Sequence, residues 1–332
     1  MKNRTIPWFS AIGVFAVASL IGLSMPTLAN AQTKVRVGLT VTTDIASAAL
    51  FNAIKKGSFK KEGIDIEVKP FIQSNQKYDT FKGGSIDMDI NMSAVTSAQL
   101  QSAGVPFVVV KAMTPADIWA VVARSDSTLS TPGDFKGRRF GVVSLSGTNY
   151  GVTHMAFKLA GVDLMRDVKV STLPPATLVA ALERGEVDGA TLYEPYLSDA
   201  LKSGRVKELF RPGVYYEKAY KEPFIALVMA VRKDFYDSNR VAVAKVLAIL
   251  DKEAKELKTN LPEASQAFVE GLPELKLKSA EALQLLKPYA GNYILEPNDP
   301  SFLKVAQNFY DRLLEIKQIP RMVRVTDFWV KP

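Results

Sequence analysis

GGSIDMDINMS (83–93) and ERGEVDGATLYEPY (183–196) follow one grammar. In each, a Gly ends a helical run, two residues follow, an Asp opens a short β-type run, and a polar residue stands where that run ends. Gly is the usual residue just past a helix end, because it takes the left-handed conformation without penalty. Asp87 matches Asp188, and counting on from them, Ser93 falls opposite Glu194. A chain that builds the same helix-to-strand junction twice is expected to hold two similar halves.

The surrounding pattern supports this. Residues 35–39 alternate as a strand, 45–54 read as a helix capped by Asp44 or Thr43, and 64–68 form a second strand. A helix is centred on 78–81, then come a strand at 87–91, a helix at 95–102 and a strand at 107–111. After the polar, Pro- and Gly-containing passage SDSTLSTPGDFKGRR (125–139), the rhythm restarts. It runs strand 140–143, helix 150–159, strand 168–173, helix 178–183, strand 188–192, helix 196–202 and strand 206–210. Strands alternating with helices predict parallel pairing through right-handed crossovers. FIALVMAV (224–231) reads as a further strand, and the remainder is helical at 241–258, 262–270, 279–289 and 302–316. The expected fold is therefore α/β, with two doubly wound lobes. Lobe 1 takes 33–122 and 225–332, including the helical tail, and lobe 2 takes 123–224. Segments 118–124 and 224–232 carry the chain out and back as a two-strand hinge.

Residues 1–31 differ from the rest. MKNR is positive, 12–23 are apolar and uncharged, and Ala29-Asn30-Ala31 offers small residues where a signal peptidase reads. This predicts a secretory signal peptide cleaved before Gln32. The apolar run is too short to span about 30 Å of hydrocarbon. Cysteine is absent, so no thiol takes a lipid at the cleavage site and no disulfide staples the fold. The mature chain is expected to be free in the periplasm. Loss of Lys2 and Arg4 lowers the formal charge from +8 by two, to +6. The basic residues lie scattered beside acids, without the interleaved aromatics of a nucleic-acid surface, so nucleic acid is not an expected partner. A mild positive excess suits an anionic ligand.

In an open parallel sheet, ligands sit outside the carboxyl ends of the strands. Ser93 and Glu194 are thus candidate rim residues. The loops after each lobe's first strand are the other candidates: TVTTD (40–44) and SLSGTNY (144–150). Both are rich in hydroxyls and both open a helix, whose unpaired N–H groups and partial positive charge favour anions. Gly147 would let the backbone approach a bound group. Plain N-capping explains the same residues taken singly. Tyr193, Glu194 and Tyr196 put two aromatics and a carboxylate at one strand end, where the carboxylate would accept from a ligand N–H or merely start a helix. His154 is the only histidine, and it reads as structural. No zinc or calcium spacing, nucleophile motif or phosphate loop is present, so neither a metal nor another cofactor is expected.

Five motifs in order carry a family resemblance: AIKKGSFKKEGIDIEV (53–68), GGSIDM (83–88), PGDFKGRRFGV (132–142), GTNYGVTHMAFKLAGV (147–162) and ALERGEVDGATLYEPY (181–196). Together they resemble the nitrate/sulfonate/taurine-type periplasmic binding proteins of ABC importers, a group that includes thiamine-precursor pyrimidine binders. The resemblance covers nearly the whole mature chain. It implies a type II periplasmic binding fold and a monomer that delivers a small-molecule solute to an ABC permease in the inner membrane. The residues it implies for the solute are Thr42, Thr43, Asp44, Met92 and Ser93 in lobe 1, and Ser146, Gly147, Thr148, Asn149 and Glu194 in lobe 2, with Tyr193 beside them. An organic acid or sulfonate is the first expected solute. A pyrimidine or other N-heterocycle is the second, and inorganic nitrate or bicarbonate the third. A binding protein reporting to a membrane sensor would share every feature. An enzyme is not expected, because the fungal pyrimidine synthase that resembles these binders carries a cysteine-rich motif that this chain lacks.

Overall fold

A computed structural model describes residues 32–115, 118–290, 295–296 and 298–332. The expected signal peptide lies outside the described residues. Eleven strands are described: β1 (Thr33–Thr40), β2 (Ile64–Phe71), β3 (Met88–Ser93), β4 (Phe107–Met113), β5 (Trp119–Arg124), β6 (Arg139–Val142), β7 (Lys169–Thr172), β8 (Gly189–Tyr193), β9 (Val206–Phe210), β10 (Leu227–Arg232) and β11 (Leu295–Glu296). They form two sheets, ordered β11-β4-β10-β3-β1-β2 and β7-β6-β8-β5-β9. Setting β11 aside, the two orders superimpose. β1 pairs in parallel with β2 and β3, and β6 pairs in parallel with β7 and β8. One antiparallel strand then stands beside the third: β10 in the first sheet, β5 in the second. The outgoing segment thus supplies a strand to the second sheet, and the returning segment supplies one to the first.

The helices are α1 (Ile45–Lys55), α2 (Ser58–Lys61), α3 (Ser74–Lys82), α4 (Ala94–Ser102), α5 (Thr148–Leu159), α6 (Pro175–Glu183), α7 (Tyr196–Lys202), α8 (Pro212–Tyr220), α9 (Lys233–Ser238), α10 (Arg240–Gly271), α11 (Ser279–Leu286) and α12 (Pro300–Glu315). α8 was not expected from the sequence. The two helices expected at 241–258 and 262–270 are one element, α10, kinked at Asn260 (φ −121°, ψ 25°) just ahead of Pro262. Proline lacks the N–H that would continue the ladder and crowds the residues before it.

Both sheets carry helices on both faces, which is why inner strands such as β4, β5 and β10 are near-continuous apolar runs, while the edge strands β2 and β7 remain partly exposed. On the first sheet, Val37, Leu39, Met88 and Ile90 pack with α1, α10 and α11, while Met92, Val109 and Ala230 pack with α4 and α12. On the second, Phe140 and Val142 pack with α5, and Ala190 and Leu192 pack with α6 and α7. The tail returns to the first sheet, where the Val330 amide donates to the Val109 carbonyl (2.9 Å).

The doubled Gly-x-x-Asp device is a brace at the amino end of β3 and β8. Gly84 and Gly185 have φ of +77° and +72°. A Cβ on Gly84 would overlap the Arg232 guanidinium, and one on Gly185 would lie 3.0 Å from Nη1 of Arg124. Asp87 then receives the Arg36 amide (2.9 Å) and Nε (2.8 Å). Asp188 receives the same two groups of Arg139 at 2.8 and 3.2 Å. Each Asp amide returns a bond to the same arginine's carbonyl, at 2.8 and 2.9 Å. The arginine facing each glycine ends the antiparallel strand of its own sheet and pairs two residues on, Arg232 with Asp234 and Arg124 with Asp126. One device therefore locks the first, third and antiparallel strands of each sheet at their outer ends.

Candidate functional site

Six helix starts follow the carboxyl ends of parallel strands: α1, α3 and α4 in the first lobe, α5, α6 and α7 in the second. α4 and α5 meet directly. Ser93 caps α4, with its Oγ accepting from the Thr96 amide (3.3 Å). The same Oγ lies 2.6 Å from Oγ1 of Thr148 and accepts from the Thr148 amide (2.9 Å). Thr148 Oγ1 accepts from the Val95 amide (3.2 Å), and the Thr96 hydroxyl donates to the Ser146 carbonyl (3.2 Å). The Ser93 amide reaches Tyr78 Oη at 3.2 Å. Asn149 is buried at the start of α5, and its side-chain oxygen accepts from the Tyr150 amide (2.8 Å). Ser144 and Ser146 stand ahead of it, their hydroxyls 3.0 Å apart, with Ser146 exposed and Gly147 half-buried.

At the start of α1, Asp44 turns inward. Its carboxylate accepts from the Ser47 amide (2.9 Å), the Ser47 hydroxyl (2.8 Å) and Asn91 Nδ2 (3.2 Å). Burial pushes the Asp44 carboxyl up, and the three hydrogen bonds and Lys77 oppose the shift. Asn91 is fully used: its Oδ1 accepts from the Thr40 amide (2.9 Å) and Lys77 Nζ (2.8 Å), while Nδ2 also donates to the Thr40 carbonyl (3.1 Å). Lys77 has 0% side-chain exposure and pairs with Asp89, equally buried, at 2.9 Å. Burial raises the Asp89 carboxyl as well, against the pull of Lys77. A fully buried ion pair thus lies under the 40–44 loop and holds it through one amide side chain.

Of the other expected residues, Thr42 is half-buried, and the Thr43 hydroxyl is buried without a partner. Met92 points into the core of the first lobe. Glu194 accepts from the Ser198 amide (3.1 Å), so it serves the first turn of α7. Tyr193 is half-buried edge-on to Tyr196, with centroids 5.8 Å apart, and burial pushes its hydroxyl up. His154 is buried with Nε2 3.5 Å from Asp163, and burial lowers its pKa, which keeps the ring neutral. Among the described residues no group of His, Cys, Asp and Glu could hold a metal ion. Sequence reading missed Lys77, Tyr78 and Asn91. A signal was present: Asp89 and Asn91 alternate with Met88, Ile90 and Met92 in a strand that should be apolar on both faces, which implies a buried polar partner.

Two similar lobes, each with an antiparallel strand beside its third, and with helix starts meeting at the strand ends, make a two-lobed α/β binding-protein fold. The chain belongs to the NMT1-like family, whose profile matches residues 29–267. Its structure is similar to that of the periplasmic aliphatic sulphonate binding protein of Escherichia coli (TM-score 0.74, 19% identity, 90% of this chain and 92% of that one). It is also similar to the alkanesulfonate-binding protein of Xanthomonas axonopodis pv. citri bound to MOPS (TM-score 0.75, 18% identity, 90% and 99%). In sequence, a Brucella abortus protein provisionally named a binding protein is 27% identical over 283 residues, 80% of this chain and 77% of that one.

Proposed function

We propose that this protein is the solute-binding component of an ABC importer. It works as a monomer in the periplasm and captures a small organic acid or sulfonate between its lobes for delivery to the membrane permease. The two sheets are the two jaws, and the hinge is the pair of segments that supply β5 and β10. The observation that carries the acid reading is the commitment of both nearby carboxylates to helix starts, Asp44 to α1 and Glu194 to α7. These bonds turn each carboxylate toward its own helix start, which lessens its repulsion of an anion and its role as an acceptor for an N-heterocycle. In the second lobe, the twelve-residue helix α5 offers its start, with Ser144 and Ser146 just ahead of it. Its dipole and those two hydroxyls favour an acid group, while the Thr148 and Tyr150 amides are already taken by Ser93 and Asn149. The relatives named above are binding proteins by their names, which supports this reading.

The test is thermal melting of the chain from Gln32 onward against sulfonates, carboxylates, nitrate, pyrimidines and amines. A solute at about a hundred times its dissociation constant stabilises by roughly 2.7 kcal/mol. The expected result is a shift with a sulfonate or carboxylate. A shift produced only by pyrimidines or amines overturns the acid reading.

A further inference from the structure

The bonds between α4 and α5 are made by the protein with itself. Ser93, Val95 and Thr96 belong to the first lobe, and Ser146 and Thr148 to the second. Four hydrogen bonds join them, at 2.6, 2.9, 3.2 and 3.2 Å. Together with two bonds inside the first lobe they occupy the amides that would otherwise make the start of α4 an anion site, and they occupy the Thr148 amide of α5 as well. The Val95 amide goes to Thr148, the Thr96 amide goes to Ser93, and the Ala94 amide goes to the Ala226 carbonyl (3.3 Å). Ser93 and Thr148 are 7% and 1% exposed. The seam continues as dry packing. Val152 and Met155 of α5 join the first-lobe cluster that holds Val95, Phe309 and Leu313. Gly151 permits the approach, since a Cβ there would stand 2.9 Å from Cγ2 of Val95 and 3.5 Å from Cδ2 of Leu313.

We propose that Ser93 and Thr148 are positioning residues that clasp the lobes to each other directly, so that they set the gap a solute must fill rather than contact the solute. The proposal rests on the two-lobe capture reading. Its chemistry is a hydroxyl-to-amide exchange between two facing helix starts, backed by an apolar contact at Gly151. A solute then adds to a closure the protein already favours, and its acid group is received on the second lobe, at Asn149 and the serines before α5.

The experiment is small-angle X-ray scattering of the chain from Gln32 onward, without added solute. Wild type is compared with Thr148→Val, which removes the hydroxyl at constant shape, and Thr148→Ser, which keeps it. Gly151→Ala is a second, independent variant. It adds a methyl where 2.9 Å is available, in a helix that alanine favours, so the fold is retained. Losing the Thr148 hydroxyl should raise the ratio of open to closed forms about fivefold or more, since a net hydrogen bond carries a factor of that order. Thr148→Val and Gly151→Ala are expected to show a larger radius of gyration with unchanged circular dichroism, and Thr148→Ser to scatter as wild type. Scattering identical to wild type in both Thr148→Val and Gly151→Ala overturns the clasp. If that occurs while the melting panel still shifts, the clasp fails and solute capture stands. If both variants open while no solute shifts the melt, the clasp stands and the capture reading fails.

Discussion

Replacing Lys77 with Met removes a charge from the driest polar cluster near the site. Lys77 Nζ serves three acceptors: Asp89 Oδ1 at 2.9 Å, the Asn91 carbonyl at 3.1 Å and Asn91 Oδ1 at 2.8 Å. Breaking a buried pair by deleting one partner destabilises by about 3–5 kcal/mol, because the other charge is left unpaired. Here a limit follows from Asp89 itself. A stranded carboxylate protonates rather than stay charged, and protonation at pH 7 costs about 1.36 × (7 − 3.9), or roughly 4 kcal/mol. At pH 5 the same limit is about 1.5 kcal/mol. The sign follows from burial, which already raises the Asp89 carboxyl against Lys77 and raises it further without Lys77. A folded-state value above the unfolded one means that stability is retained at low pH and lost as pH rises from the unfolded value toward the folded one. Lys77→Met should therefore lose about 4 kcal/mol at pH 7 and about 1.5 kcal/mol at pH 5, read by urea denaturation at the two pH values. Removing both partners with Lys77→Met and Asp89→Leu should restore at least half of the loss. An equal loss at both pH values would show that packing, not stranded charge, sets the penalty, and would refute the reasoning.

The two braces should respond in graded fashion. Asp87 is 5% exposed against 25% for Asp188, so Asp87→Asn should cost about 2 kcal/mol and Asp188→Asn about 1 kcal/mol in denaturant melts at pH 7. Arg139 holds the Asp188 carboxyl below its usual range, so that contribution is present above the unfolded value and is lost as pH falls through the folded one. The gap between wild type and Asp188→Asn should accordingly narrow as pH falls below the unfolded carboxylate value of about 3.9, and a gap that does not narrow would assign the loss to something other than charge. Gly189→Ala puts a Cβ 2.5 Å from the Phe135 ring and 3.1 Å from the Val122 carbonyl, and should lower stability by about 1–3 kcal/mol. A melting temperature equal to wild type would mean that the ring moves freely. Glu194→Ala removes the acceptor for the Ser198 amide and should lower stability by about 1 kcal/mol. If it instead leaves the melt unchanged and abolishes the solute-induced shift, Glu194 is a solute contact rather than a helix start.

The architecture was legible because strand and helix periods are local. Alternation, helix runs ended by Gly, and the repeated Gly-x-x-Asp junction determined two α/β halves and a helical tail without reference to distant residues. The cap of α1 was legible as Asp44 or Thr43, since a cap bonds within three residues of itself, and Asp44 fills it. α8 was missed because PGVYYEKAY (212–220) presents aromatics rather than a clean apolar stripe. Its Tyr216 is buried against Phe224, a little further on, and against Phe309, far along the chain. The contacts of the site residues across the two lobes could not be read from spacing. Ser93 was matched to Glu194 by counting, yet it bonds Thr148, because partners across two lobes are chosen by how the sheets pack. Lys77 reads as one more surface lysine of α3 until the fold brings Asp89 and Asn91 beneath it. A charge can be buried only where its partners converge, and convergence over twelve or more residues is a property of the folded chain. The sequence by itself determined the two lobes and the helix starts at their strand ends. Only the tertiary structure decided which carboxylates are spent on those helix starts and which hydroxyls join one lobe to the other.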